Sequence, residues 1–202
     1  MNHQIFLTSD THFGQKSICD FLAPDGVSKL RPFSSAEEMD EALVKNWNET
    51  VRPCDKVYHL GDVTMSHKAL PILARLNGTK ILIRGNHDTA KLSQYAPYFK
   101  DVRGCHVLDS LLLTHIPVHP DSKGRFRGNV HGHLHARRIM MDGEILFDNP
   151  NKDRIGQPFM ISSRCRVIDP FYLCVSVEQT NFRPINFEEV KKYYAENSLR
   201  GE

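Results

Sequence analysis

Lys80-Ile81-Leu82-Ile83-Arg84-Gly85-Asn86-His87-Asp88 decides how this chain is read: a short apolar run of strand character breaks at a glycine and delivers three side chains able to bind metal or move protons. The pattern recurs. Ile5-Phe6-Leu7-Thr8-Ser9 leads into Asp10-Thr11-His12, and Lys56-Val57-Tyr58-His59-Leu60 leads into Gly61-Asp62. Leu111-Leu112-Leu113-Thr114 precedes His115, and Gly128-Asn129-Val130-His131 precedes Gly132-His133-Leu134-His135. Five strand-then-ligand units place their donors where α/β sheets present their sites, at the carboxyl ends of strands.

Together the clusters supply two Asp, one Asn and four His as metal donors, with His87 left over, which is enough for two ions. A mixture of imidazole and carboxylate without thiolate suits Mn, Fe, Co, Ni or Zn. Two such cations roughly 3.5–4 Å apart offset the charge that makes a phosphate ester resist attack, and they lower the pKa of a bound water to about 7. The donor set therefore narrows the chemistry before any fold is considered.

Helical patterns lie between the first strands, so the architecture is expected to be layered α/β. Ser35 with Glu38 forms a capping box, and Met39, Leu43, Trp47 and Val51 recur at spacing four, predicting a packing helix over 36–51. A second helix is expected over 67–76 with Leu70, Leu73 and Leu76, where Pro71 is tolerated only in the first turn. Asn186 with Glu189 predicts a closing helix over 187–197. Tyr172 to Val177 reads as a β run. The stretch 137–170 reads as an irregular excursion with one hairpin, turning at Asp142-Gly143.

The 202 residues suit a single domain spanning 1–202. A net charge of +2 is only mildly basic, so nucleic acid is a possible partner that charge does not indicate. Five cysteines without a close pair read as buried thiols in a reducing cytosol. The N-terminus does not read as a signal peptide, and no apolar run is long enough to span a membrane. A cytoplasmic monomer or small homo-oligomer with no membrane partner is expected.

With D-x-H, G-D, G-N-H-D, a lone His and G-H-x-H in this order, the chain resembles the calcineurin-like metallophosphoesterase superfamily, of the compact bacterial and phage type. The resemblance implies a four-layer α/β/β/α sandwich of two mixed sheets, with a dinuclear metal site at the strand ends. Carried over by position, Asp10, His12 and His135 look like ligands of one ion, and Asn86, His115 and His133 like ligands of the other. Asp62 looks like the bridge. Alternate residues of an extended segment point the same way, which would let His133 and His135 reach adjacent ions.

The resemblance also makes His87 the catalytic general acid, with Asp88 holding its imidazole and favouring the charged form, while a metal-bridging hydroxide is the nucleophile. Manganese is the first expectation, with iron, zinc, nickel or cobalt as alternatives. Gly61-Asp62-Val63-Thr64-Met65-Ser66 lacks the phosphate-gripping extension of protein serine/threonine phosphatases, which leaves a phosphodiesterase acting on a nucleotide or other small phosphoester. A nuclease, a phosphomonoesterase and a non-catalytic module of the same fold are the alternatives. His59 is expected in the core and His131 in a strand-facing structural role. The loop from Phe13 to Phe33 would overhang the ions. Arg31 and the group Lys123, Arg125 and Arg127 read either as phosphate contacts or as solvated charge.

Overall fold

A computed structural model describes residues 3–148 and 160–198. The fold is mixed α/β with two mixed sheets and few helices. Strands β1 (Ile5–Thr8), β2 (Lys56–His59), β3 (Thr79–Ile83) and β4 (Asp101–Arg103) run parallel, and β11 (Ile185–Asn186) joins antiparallel beside β1, giving the order β11-β1-β2-β3-β4. A second sheet has the order β10-β7-β6-β5, from Tyr172–Cys174, Gly128–His131, Leu111–Leu113 and His106–Leu108. Its β5–β6 pair is antiparallel and the others parallel.

Period-two alternation divides the first sheet between two cores. Phe6, Val57 and Leu82 face Met39, Leu43 and Trp47 of helix α1 (Ala36–Thr50). Their neighbours Leu7, Tyr58, Ile81 and Ile83 face Leu111, Leu113 and Val130 of the second sheet. Phe187, Val190 and Tyr194 of α3 (Phe187–Ser198) close that second core. The short α2 covers Leu92–Tyr95.

Helix α1 starts where expected: the Ser35 hydroxyl accepts from the Glu38 amide at 3.1 Å. The return arm of the cap lands one residue early, because the Glu38 carboxylate accepts from the backbone N–H of Ser34. The second helical segment, His67–Arg75, is 3-10 rather than α. Pro71 has no N–H to give an α ladder, and Leu70, Leu73 and Leu76 recur every third residue, which is the 3-10 repeat. Tyr172 to Val177 is strand only to Cys174, and Val177–Gln179 forms a 3-10 turn.

The expected hairpin exists as β8 (Met140–Asp148) paired with β9 (Met160–Ile168), but Asp142-Gly143 is not its turn. Asp142 and Gly143 sit within β8 opposite Arg166 and Cys165. A turn signal is overridden once both flanks extend the ladder. Of the four cysteines described, Cys19 and Cys174 are buried as expected, whereas Cys54 and Cys105 are exposed. Among the described residues no helix is long and apolar enough to cross a membrane.

Asp55 locks the start of the first sheet. Its carboxylate, shielded from solvent, accepts from the backbone N–H of Gln4 at 2.8 Å and of Arg52 at 2.9 Å, and from the Arg52 guanidinium at 2.9 Å. The guanidinium first, and then the amides, hold the carboxyl well below its ordinary value of 3.8. The fold therefore favours the charged form. Its stabilisation is complete above that ordinary value and fades as pH falls further. Asp55→Asn is expected to cost about 1–3 kcal/mol at neutral pH and to flatten the acid side of a urea-midpoint titration. An unchanged midpoint would show that the cluster is idle.

Candidate metal centre

The two sheets contribute donors from opposite sides. Asp10 and His12 follow β1, Asp62 follows β2 and Asn86 follows β3, while His115 follows β6 and His133 and His135 follow β7. The residues converge as two groups, Asp10 with His12 and His135, and Asp62 with His115 and His133, the potential ligand atoms of each group lying within 4.8 Å of one another. Asn86 joins the second group, its Oδ1 lying 2.9 Å from His115 Nε2. Asp62 stands between the groups: its Oδ2 is 3.7 Å from His12 Nε2 and 3.3 Å from His115 Nε2.

The backbone here is left-handed at several of the candidate donors. Among the described residues nine non-glycine positions have positive φ, and five of them are Asp10 (58°), His12 (50°), Asp62 (55°), His133 (69°) and His135 (52°). Left-handed conformations at such residues cost on the order of 1–3 kcal/mol each and persist where function holds them. The two histidines of Gly132-His133-Leu134-His135 therefore converge from a left-handed turn, which the Leu134 N–H closes onto the Gly132 carbonyl, and not from an extended segment. Gly132 is required for a separate reason: a Cβ there would run into Ser9 Oγ and Asp10 Oδ2. Gly61, at φ +97°, lies against Gly85 and the His115 ring.

Supporting bonds aim each donor. Asp10 accepts from the Ser176 hydroxyl at 2.8 Å and from the His133 N–H at 2.9 Å, which ties the first ligand loop to the second sheet. His115 gives its Nδ1 proton to the Leu60 carbonyl at 2.8 Å, turning Nε2 toward Asp62 and Asn86. His135 meets Glu178 through Nδ1 at 2.9 Å, which leaves Nε2 toward Asp10. Both nitrogens of buried His12 lack a hydrogen-bond partner, which leaves them open to an ion. Burial pushes the Asp10 carboxyl up, but the His12 contact and the nearby His135 and His115 outweigh it, leaving it well below the ordinary range. Burial likewise opposes charge on His115 and His135, and Asp62 and Glu178 respectively overcome it. Carboxylates ringed by imidazoles fit a divalent cation in place of protons.

His87 lies outside both donor groups, exposed, its ring centroid 5.8 Å from that of His12. Its backbone N–H donates to Asp62 Oδ1 at 2.9 Å. Asp88 requires a correction. Its buried carboxylate accepts from the amides of Asp62, Val63 and Gly85 at 2.8 to 3.0 Å, so it staples two ligand loops together and does not hold the His87 ring. Three backbone donors outcompete one exposed imidazole for the same oxygens.

Arg31 is corrected as well, since it is neither a phosphate contact nor solvated. Fully buried, it donates to the carbonyls of Asp10 and Thr11 and pairs with Glu178 at 2.7 Å. Lys123 pairs with Asp169 at 2.9 Å and lies over the Phe171 ring, while Arg125 and Arg127 are exposed. His59 is a core residue as expected, its Nε2 2.9 Å from Thr11 Oγ1 and its pKa pushed by burial down to about 3. His131 is buried on β7 with Nδ1 on the Gly132 carbonyl. Glu178 and Ser176 escape sequence reasoning: they carry no local signal and meet His135 and Asp10 only through long-range folding.

Known proteins bear out the class this geometry defines. The profile of the Calcineurin-like phosphoesterase superfamily domain matches residues 4–152, and the chain belongs to that superfamily, whose members are metal-dependent phosphoesterases. It is 32% identical over 200 residues to the uncharacterized protein MJ1445 of Methanocaldococcus jannaschii, covering 94% of this chain and 90% of that one. The crystal structure of the protein of unknown function AQ665 from Aquifex aeolicus shares the fold, with a TM-score of 0.62 and 23% identity over 95% of this chain and 99% of that one.

Proposed function

We propose that this protein is a phosphodiesterase acting on a nucleotide or other small phosphoester, with Asp10, His12 and His135 holding one divalent cation, Asn86, His115 and His133 the other, and Asp62 both. The observation that carries the reading is the pair of facing donor groups with the partnerless His12 imidazole between their carboxylates. Cations held there would supply charge neutralisation and lower the pKa of a bound water. The remaining work falls to the chain. Glu178 and the Leu60 carbonyl fix the tautomers of His135 and His115, and Asp88 holds the loops of Asp62 and Asn86 in register. His87, exposed beside His12, gives its ring proton to the departing oxygen, a role worth on the order of 10²–10⁴-fold.

A diester brings one negative charge fewer to neutralise than a monoester, and Arg31 and Lys123 are engaged with Glu178 and Asp169. Manganese is our first choice among the ions that oxygen and imidazole donors without thiolate suit, with iron, zinc, nickel or cobalt as alternatives. Helix α3 would form the fourth layer of an α/β/β/α sandwich. Free thiols at Cys54 and Cys105 agree with a cytoplasmic location. Purified protein with Mn²⁺ is expected to hydrolyse bis-p-nitrophenyl phosphate, and EDTA to abolish turnover. No turnover with Mn²⁺, Ni²⁺, Co²⁺ or Zn²⁺ would reject the reading.

A further inference from the structure

Beside the donor groups lies a cleft of about 450 Å³, walled on one side by Phe21, Leu22 and Leu30 and on the other by His133, His135 and Arg137. That volume falls within the range of small-ligand sites. Phe21 and Leu22 are 49% and 57% exposed, an apolar surface left open next to a polar centre. Arg137 is exposed, and its guanidinium has no hydrogen bond or ion pair among the described residues.

The apolar wall is preformed. Residues 21–30 fold back on themselves through Leu30 N–H to the Phe21 carbonyl and Ala23 N–H to the Ser28 carbonyl, both at 2.8 Å, and Asp25 accepts from the amides of Val27 and Ser28. Buried Arg31 then clamps the base of this loop to the Asp10 and Thr11 carbonyls and to Glu178, which holds His135. The wall is thus fixed relative to the candidate ligands.

We infer that this cleft is a subsite for a planar base with acceptor oxygens, so that the substrate is a nucleoside phosphodiester. Phe21 and Leu22 cover the ring face, and the fork of Arg137 donates to the acceptor edge. The inference rests on the phosphodiesterase reading and deepens it.

Two esters with one leaving group isolate the subsite: thymidine 5'-(p-nitrophenyl phosphate) and ethyl p-nitrophenyl phosphate, each assayed with Mn²⁺. The protein is expected to prefer the thymidine ester in kcat/KM by about tenfold or more, as stacking on an aromatic side chain allows. Phe21→Ala and Arg137→Gln should each erase most of that preference, while Val27→Ala, at the exposed tip of the same loop, should keep it. Turnover of both esters without preference, or a preference that survives Phe21→Ala and Arg137→Gln, overturns the subsite and leaves the hydrolase reading standing. Calorimetric binding of thymidine 5'-monophosphate gives a readout independent of turnover. Where neither ester is cleaved the hydrolase reading falls, and the cleft then stands if Phe21→Ala weakens that binding about tenfold and falls if it does not.

Discussion

Asp62→Ala is expected to take the metal content from two ions per chain toward none, measured by inductively coupled plasma spectrometry, and to lower kcat/KM on bis-p-nitrophenyl phosphate by on the order of 10³-fold or more, as loss of several kcal/mol of charge stabilisation requires. Its Oδ2 lies 3.7 Å from His12 Nε2 in one group and 3.3 Å from His115 Nε2 in the other. Removing it leaves each half with one anionic or amide oxygen and two imidazoles. The metal-free fold should survive, because the Asp62 and Val63 amides still donate to Asp88. A second readout separates metal loss from misfolding: Mn²⁺ should raise the melting temperature of the parent protein and leave that of Asp62→Ala unmoved. Two ions retained by Asp62→Ala would remove Asp62 from its assigned place.

How much of this was legible beforehand follows from the range of each interaction. The donors were readable because each follows a strand of local apolar character, and α1 because Ser35 and the spacing-four face of Met39, Leu43 and Trp47 are local signals. The 3-10 segment at His67–Arg75 carried its sign in the spacing of Leu70, Leu73 and Leu76, which was read with the wrong period. Sequence alone does not place Arg31, because a charge in a loop is ordinarily solvated. Only tertiary structure brings it the three acceptors, Asp10, Thr11 and Glu178, that make burial tolerable. Glu178 lies 43 residues from His135 along the chain, and nothing around it marks it as a partner. Sequence adjacency pairs Asp88 with His87, whereas its oxygens go to the Gly85 amide and to the Asp62 and Val63 amides of another strand's loop.

His87→Ala should behave in the opposite way from Asp62→Ala, and that contrast tests the division of labour between holding ions and moving a proton. The His87 ring stands outside both donor groups, and its one bond to a candidate ligand, 2.9 Å to Asp62 Oδ1, comes from the backbone N–H, which alanine keeps. Metal content should therefore stay near two ions per chain. Loss of the proton donor should lower kcat by about 10²–10⁴-fold with little change in KM, the signature of an interaction made in the transition state alone. The deficit should also depend on the leaving group. A p-nitrophenolate needs little help to depart, so the mutant's loss should be smaller on p-nitrophenyl esters than on alkyl esters whose leaving oxygen must be protonated. Equal losses on both kinds of ester would point to a binding role for the ring, and an emptied metal site would show that His87 holds an ion.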